Sequence, residues 1–343
     1  MASLMSTASS QHTDHTIDAE PVPTLDAIAS QHFALTPWVV RTPVFERHDF
    51  PTLEGTNINF KFELLQSSGS FKVRGAFTNL LALDASQRSV GVTCVSGGNH
   101  AAAVAYAAMR LGTSAKVVMF RTASPARIAL CKQYRAEVVM ADSPAEAFDV
   151  VRRIEAEEGR FFVHPFNGYR TVLGTATLGY EWATQTPDLD AVIVPIGGGG
   201  LAAGVSTALR LANPRVHVFG VEPEGADAMS RSFAANHTVK MGAMHTIADS
   251  LMAPHTEQYS YELCRRHIDR IVTVSDDELR AAMLKLFVQL KLAVEPACAA
   301  ATAALLGPLR ETLQGKRVGV ILCGTNTDPA TLSAHLERAR ASA

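Results

Sequence analysis

Residues 67–72 read SSGSFK, a run of small residues that delivers an aromatic ring and then an amine onto the opening turn of a helix. Unpaired backbone N–H groups carry partial positive charge there, so an ammonium is unwelcome at Lys72. Two chemistries follow. Either Lys72 snorkels to water as a surface cation, or the helix end and Arg74 disfavour its charged form and keep it available as a nucleophile or imine-forming amine. Ser70 is placed to cap the helix that begins at Phe71.

Two further turns have chemical potential. SGGNHAAA, residues 96–103, joins a strand to a helix. Ser96 and Asn99 bring hydrogen-bonding groups, while Gly97 and Gly98 permit close approach of an anion such as a carboxylate. The alternative is a simple turn with Asn99 as helix cap, and His100 by itself reads as packed or solvated. VPIGGGGLAAG, residues 194–204, places four consecutive glycines between a strand and a helix, the way backbone N–H groups hold a phosphate without a cationic side chain. Gly197, Gly199 and Ala202 also match the G-x-G-x-x-A dinucleotide pattern, with Glu222 at ribose-binding spacing. A nicotinamide-dependent dehydrogenase is therefore a rival. It gives no account of SSGSFK or SGGNH, whereas pyridoxal phosphate requires an amine, a phosphate cradle and a carboxylate site together.

The elements that must position these turns alternate along the chain. NINFKFELL alternates apolar and polar residues, then Val73, Phe77, Leu80 and Leu81 recur at helical spacing. GVTCVS precedes an alanine-rich helix that Gly112 stops. AKVVMF, AEVVMA, FFVHPF, AVIVPI, VHVFGVEP, RIVTVS and KRVGVILC read as buried strands with helices between them. Repeated β-α units predict an α/β fold with largely parallel sheets and ligands at the carboxyl ends of the strands.

Composition sets the outer limits. The 343 residues are 47% hydrophobic and 19% charged with a formal net charge of -2, which gives no electrostatic reason for a nucleic-acid or membrane partner. A small molecule is the expected ligand. Cys94, Cys131, Cys264, Cys298 and Cys323 are odd in number and lack zinc-ligand spacing, which suits a reducing compartment. The amino end lacks secretory and transit-peptide character. The apolar run Ala281 to Leu306 is interrupted by Lys285, Lys291 and Glu295, so it is no bilayer span. A cytoplasmic protein is expected.

FELLQSSGSFKVRGA, SGGNHAAAVA, PIGGGGLAAG, GVEPEGA, TIADS, VEPACAA and ILCGTN follow one another between Thr42 and Asn326. In these motifs and their order the chain resembles the fold type II pyridoxal-phosphate enzymes, in the serine/threonine dehydratase (threonine ammonia-lyase) and serine racemase branch. The resemblance implies a tryptophan synthase β-like α/β fold with two doubly wound parallel-sheet domains. Residues 23–82 and 168–343 would form the large cofactor-binding domain, 83–167 a small inserted domain, and 1–22 a flexible tail. It further implies domain closure over substrate and a homodimer or homotetramer. No effector-binding domain is expected after ILCGTN.

The same resemblance implies roles residue by residue. Lys72 would hold pyridoxal 5'-phosphate as an internal aldimine and act as the catalytic base at Cα, with Phe71 packed on the pyridine ring. Asn99 would bond the phenolic oxygen. Ser96, Gly97, Asn99 and His100 would receive the substrate carboxylate. Gly197, Gly198, Gly199 and Gly200 would hold the phosphate. Cys323 would stand beside the pyridine nitrogen, where a thiol of ordinary pKa near ~8.5 hydrogen-bonds without fixing a pyridinium. That weaker electron sink suits β-elimination. Phe166, in the retained H-P-F of residues 164–166, would form an apolar wall near the substrate side chain.

The implied activity is a lyase: dehydration of an L-serine- or L-threonine-like 3-hydroxy amino acid to a 2-oxo acid and ammonia. Departures from the family pattern refine this. Gly97 stands where serine racemases carry a serine, so racemisation is disfavoured. The family's G-Q-G-T appears as residues 174–177, GTAT, and T-I-A-D-G ends here in Ser250. These changes leave phenylserine, hydroxyaspartate or a hydroxyectoine-derived compound open as substrate. Glu222 and Asp227 remain from the metal-dependent relatives, but Ala228 replaces a further aspartate, so no required metal is expected. Glu295 reads either as a helix-start carboxylate beside Pro296 or as a catalytic group.

Overall fold

The computed structural model describes residues 16–48, 50 and 55–341. Its strands are β1 (Thr16–Ile17), β2 (Glu20–Pro21), β3 (Val44–Arg47), β4 (Asn57–Lys61), β5 (Val92–Val95), β6 (Ala115–Phe120), β7 (Glu137–Ala141), β8 (Phe161–Phe162), β9 (Ala191–Pro195), β10 (His217–Pro223), β11 (Arg270–Val274) and β12 (Arg317–Ile321). A six-stranded sheet has the order β11-β10-β9-β12-β4-β3, and a four-stranded sheet the order β7-β6-β5-β8. All pairings in both are parallel except β3 with β4 at the edge. Strands β9 and β12 are apolar and buried almost throughout, as parallel strands covered on both faces must be. The fold is the α/β, parallel-sheet fold expected.

Strand β4 lies beside β12, with Asn57 opposite Arg317 and Lys61 opposite Ile321. Two regions some 260 residues apart in sequence therefore share one ladder, and the four-stranded sheet is built from chain that runs out between them. The order reverses between β9 and β12, the switch point where α/β sheets open a crevice at their carboxyl ends. Chain leaving β4 runs into SSGSFK, chain leaving β9 into the glycine turn and chain leaving β12 into Leu322, Cys323 and Gly324.

Each sheet has its own apolar core. Phe71 belongs to the cluster around the six-stranded sheet, while Val73, Ala76, Phe77 and Leu80 belong to the one around the four-stranded sheet. Lys72 stands on the seam. Its helix, Lys72–Leu81, packs against Tyr169–Gln185, which packs in turn against Gly200–Ala212. These helices touch through backbone. A Cβ on Gly174 would lie 2.6 Å from the Gly75 Cα, and one on Gly204 2.6 Å from the Val172 carbonyl oxygen.

Three expectations change. The first fifteen residues of the expected tail lie outside the described residues. Residues 16–22, however, are tied down, because β1 pairs with β2, Ile17 enters the core and the Tyr259 hydroxyl donates to the Pro21 carbonyl at 2.5 Å. Ser70 does not cap the Lys72 helix; it is drawn into a bridge with Gly324, and Phe71 occupies the cap position without a side-chain bond. Asn99 is not a cap either, since Gly98 precedes the helix Asn99–Leu111 and the amide is engaged elsewhere. Gly112 ends that helix in the left-handed conformation, φ 69°. Among the described residues no helix is long and apolar enough to cross a membrane.

Candidate active site

Backbone bonds lock the SSGSFK turn onto the end of β12: Phe71 N–H donates to the Cys323 carbonyl at 3.1 Å, and Thr325 N–H to the Gly69 carbonyl at 2.9 Å. Gly69 is required, because its φ is +74° and a Cβ would strike the Asn326 side chain at 2.3 Å. The amine of Lys72 emerges from this frame and donates to the Pro165 carbonyl at 2.5 Å. Burial pulls its pKa from 10.5 down to about 8, with Cys323 and Glu295 pulling the other way. The sharper reading of Lys72 is thus the one the geometry favours, but not through Arg74. That guanidinium turns away and bonds Glu63 at 2.8 Å and Glu181 at 3.1 Å in a fully buried cluster that also takes in Lys61.

A narrow cleft lies beside the amine, lined by Phe71, Lys72, Ala76, His100, Pro165, Thr175, Gly200 and Leu201 among others. Three of the motifs meet here. The glycine turn is crowded on every side: a Cβ on Gly198 would enter the Phe166 ring at 2.2 Å and one on Gly200 would lie 2.6 Å from the Phe166 carbonyl oxygen. Gly199 has φ +97° and its Cβ would meet Met229. The helix Gly200–Ala212 starts with no side-chain cap, so its first N–H groups are free for an anion. Thr175 anchors the turn, its hydroxyl donating to the Gly200 carbonyl at 2.7 Å.

Phe166 therefore packs on the glycine turn, and Pro165 supplies the wall of the cavity. His164 shapes that corner by accepting the backbone N–H groups of Asn167 at 2.9 Å and Phe166 at 3.3 Å on Nδ1. Burial lowers its pKa to about 4, which keeps the acceptor unprotonated. His100 is neutral too, pushed to about 3 by burial and then by Lys72. Its Nε2 lies 2.8 Å from the Val163 carbonyl, an acceptor only, so Nε2 carries the proton and Nδ1 is a lone-pair nitrogen. An imidazole in that state repels a carboxylate; the backbone N–H groups at the start of the Asn99 helix are the better partners.

On the SGGNH turn the Ser96 hydroxyl accepts from Gly98 N–H at 3.1 Å, and Gly97 faces Phe120, whose ring a Cβ would meet at 3.0 Å. A racemase-like serine at 97 would be crowded. The Asn99 amide donates to Glu295 at 2.6 Å and accepts from Asn326 at 2.7 Å. Burial raises the Glu295 pKa to about 7, opposed by Arg127. Glu295 stands at the start of the helix Pro296–Leu306, as its place beside Pro296 suggested, but its buried carboxylate makes no cap bond and holds Asn99 instead. Cys323 is held as a thiol by its contact with Cys298 and by burial. Asn326, the last residue of ILCGTN, and Arg127, which no motif singles out, complete this corner.

Glu222 does not present itself to a ribose. Its oxygens accept from Met229 N–H, Ser230 N–H and the Ser230 hydroxyl at 2.6–2.8 Å, and Asp227 pairs with Arg231. Among the described residues no cluster of three His, Cys, Asp or Glu side chains is arranged to hold a metal. The Lys72 and glycine-turn groups suit pyridoxal phosphate instead. A buried amine with no carboxylate partner, an uncapped glycine turn and the orphaned buried hydroxyls of Ser68 and Ser70 leave polar atoms that a phosphate-bearing aldehyde satisfies.

Comparison with known proteins agrees with this geometry. A family model described as pyridoxal-phosphate dependent enzyme matches residues 35–324. A phenylserine dehydratase from Ralstonia pickettii is 70% identical over 320 residues, covering 93% of this chain and 98% of that protein. A beta-hydroxyaspartate dehydratase from Paracoccus denitrificans is 36% identical over 309 residues, 90% of this chain and 97% of that one. Among solved structures, maize serine racemase superposes with a TM-score of 0.87 at 34% identity, covering 93% of this chain and 98% of the other.

Proposed function

The chain belongs to the pyridoxal-phosphate dependent enzymes, and we propose that it is the dehydratase of a 3-hydroxy amino acid with an apolar aromatic side chain, phenylserine. The products are phenylpyruvate and ammonia, the water lost in elimination being returned on hydrolysis. The observation that carries the choice is the cavity wall. Phe71, Ala76, Pro165 and Leu201 face the space, and of the side chains lining it only Lys72 carries charge. A second substrate carboxylate, as in hydroxyaspartate, meets no lining cation beyond Lys72, and Arg127 is committed to Asp249 and Glu295. The Ralstonia relative supports the same choice.

Bound pyridoxal phosphate supplies an electron sink conjugated to the substrate Cα, which makes the Cα proton removable and the β-hydroxyl able to leave. Lys72 would anchor the cofactor through its amine, and Nζ is the group that would take the Cα proton. A pKa near 8 leaves a substantial unprotonated fraction at neutral pH. Gly197, Gly198, Gly199 and Gly200 would hold the phosphate by N–H donation, and Asn99 would steady the ring oxygen. Ser96 and the backbone of Gly97, Asn99 and His100 take the substrate carboxylate. Cys323 would serve the ring nitrogen as an uncharged donor. Phe71 lines the cavity, and Phe166 backs the glycine turn.

The test is 2-oxo acid release from a panel of 3-hydroxy amino acids. Burial of a phenyl ring in place of a methyl is worth about 2 kcal/mol, so kcat/KM for phenylserine is expected to exceed that for threonine by roughly 30-fold. Equal use of threonine, or preference for hydroxyaspartate, would remove the aromatic assignment.

A further inference from the structure

Arg127 crosses between the two sheets. It sits on the helix Pro125–Gln133, which packs in the four-stranded layer, yet each acceptor it meets lies in chain outside that layer. Its Nε donates to the Asn326 carbonyl at 3.0 Å, Nη1 to Asp249 at 2.5 Å, and Nη2 to Asp249 at 3.3 Å and Glu295 at 3.4 Å. It is 8% exposed. Two of those partners, Asn326 and Glu295, are the residues that grip the two ends of the Asn99 amide. Glu295 packs under Gly324, where a Cβ would lie 2.6 Å from its carboxylate.

We propose that Arg127 is a positioning residue of the reaction: reaching across from the four-stranded sheet, it holds Glu295 and Asn326 and through them fixes the Asn99 amide for the cofactor ring. The proposal rests on the reading of Asn99 as the ring-side residue. Glu295 and Asn326 together fix which end of Asn99 donates and which accepts, leaving one amide N–H for the ring oxygen. Removing Arg127 leaves Glu295 buried without its cation, and the cheapest relief is a proton on the carboxylate or rotation away from Asn99. Protonation weakens the bond that holds the amide, and rotation breaks it.

The experiment compares Arg127→Met, Arg127→Lys, Asn99→Ala and the Arg127→Met/Asn99→Ala double variant as purified proteins. It reads affinity for pyridoxal 5'-phosphate, the visible spectrum of the bound cofactor, and kcat and KM separately. Arg127→Met is expected to weaken cofactor binding and lower kcat by roughly 10- to 100-fold, with a displaced cofactor spectrum and KM within about threefold. Arg127→Lys restores part of this, since an ammonium replaces the charge without the fork. In the Asn99→Ala background the Met substitution adds less than about threefold. Effects that multiply independently, or a wild-type spectrum in Arg127→Met, overturn the proposal. Wild-type spectrum and affinity in Asn99→Ala alone would instead show that the ring-side reading of Asn99 is at fault, and the proposal goes with it. Should Arg127→Met not fold, Glu295→Ala must reproduce the spectral displacement; an unaltered spectrum there overturns the proposal equally.

Discussion

A lysine with one carbonyl partner and no carboxylate is an amine prepared for covalent chemistry. Replacing Lys72 with Ala is expected to abolish the visible absorbance of the lysine-bound cofactor together with turnover, by at least about 10³-fold, measured by spectrum and by 2-oxo acid release. The lowered pKa gives a second expectation. The neutral amine attacks the aldehyde, and burial moves its appearance from the usual lysine range down to about pH 8. Capture of pyridoxal phosphate by the apoprotein should therefore rise as pH climbs from 6 to 8 and flatten above it. A stopped-flow rate that is flat across that range would contradict this. At this scale Lys72, the glycine turn and the SGGNH turn were legible in the sequence, because each is a short motif whose composition is strange without a ligand. The Pro165 carbonyl was not, since any residue carries one, and neither was Arg127, whose partners lie 122–199 positions away.

At the scale of elements, the Lys72 helix is set in place from behind. Arg74, one turn-face away from the amine, ties Glu63 and Glu181 together with no solvent access, and Lys61 joins them. Substituting Arg74 by Met strands the buried Glu63 carboxylate, with Glu181 left to Lys61, and is expected to cost about 3–5 kcal/mol in urea unfolding. A loss under about 1 kcal/mol would mean that the cluster is not what secures the helix. The sequence suggested a different task for Arg74, opposing the Lys72 ammonium, because neighbours in sequence look like neighbours in space. On a helix, residues two apart point to different sides. Glycine contacts position the same helix from in front. Gly174→Val would drive a branched side chain into the Gly75 backbone, and overpacking of about 1–3 kcal/mol together with weaker cofactor binding is expected, read by unfolding and by cofactor titration. The helical and strand periods of these segments were visible in the sequence; the backbone-to-backbone crossing was not, because a helix-interior glycine signals only that something is close.

For the whole molecule, the site lies where two separately cored sheets meet, and its parts come from both. A ligand gripped from both sides stabilises their association by mass action. At about 100 times its dissociation constant, pyridoxal phosphate should add about 2.7 kcal/mol to unfolding free energy, visible as a Tm that rises with cofactor concentration. An unchanged Tm at saturation would argue that the cofactor bridges nothing. The alternation of strands and helices was enough to read an α/β fold with parallel sheets, since buried parallel strands are continuous apolar runs. Which strand lies beside which was beyond periodicity.

The ladder between β4 and β12 has a bearing on how the enzyme is made. During synthesis the lysine leaves the ribosome early, while the strand that braces its turn emerges some 250 residues later. A nascent chain arrested before residue 317 should expose that amine without the frame that desolvates it. Vitamin loading is then expected to wait until β12 has been translated and has docked beside β4.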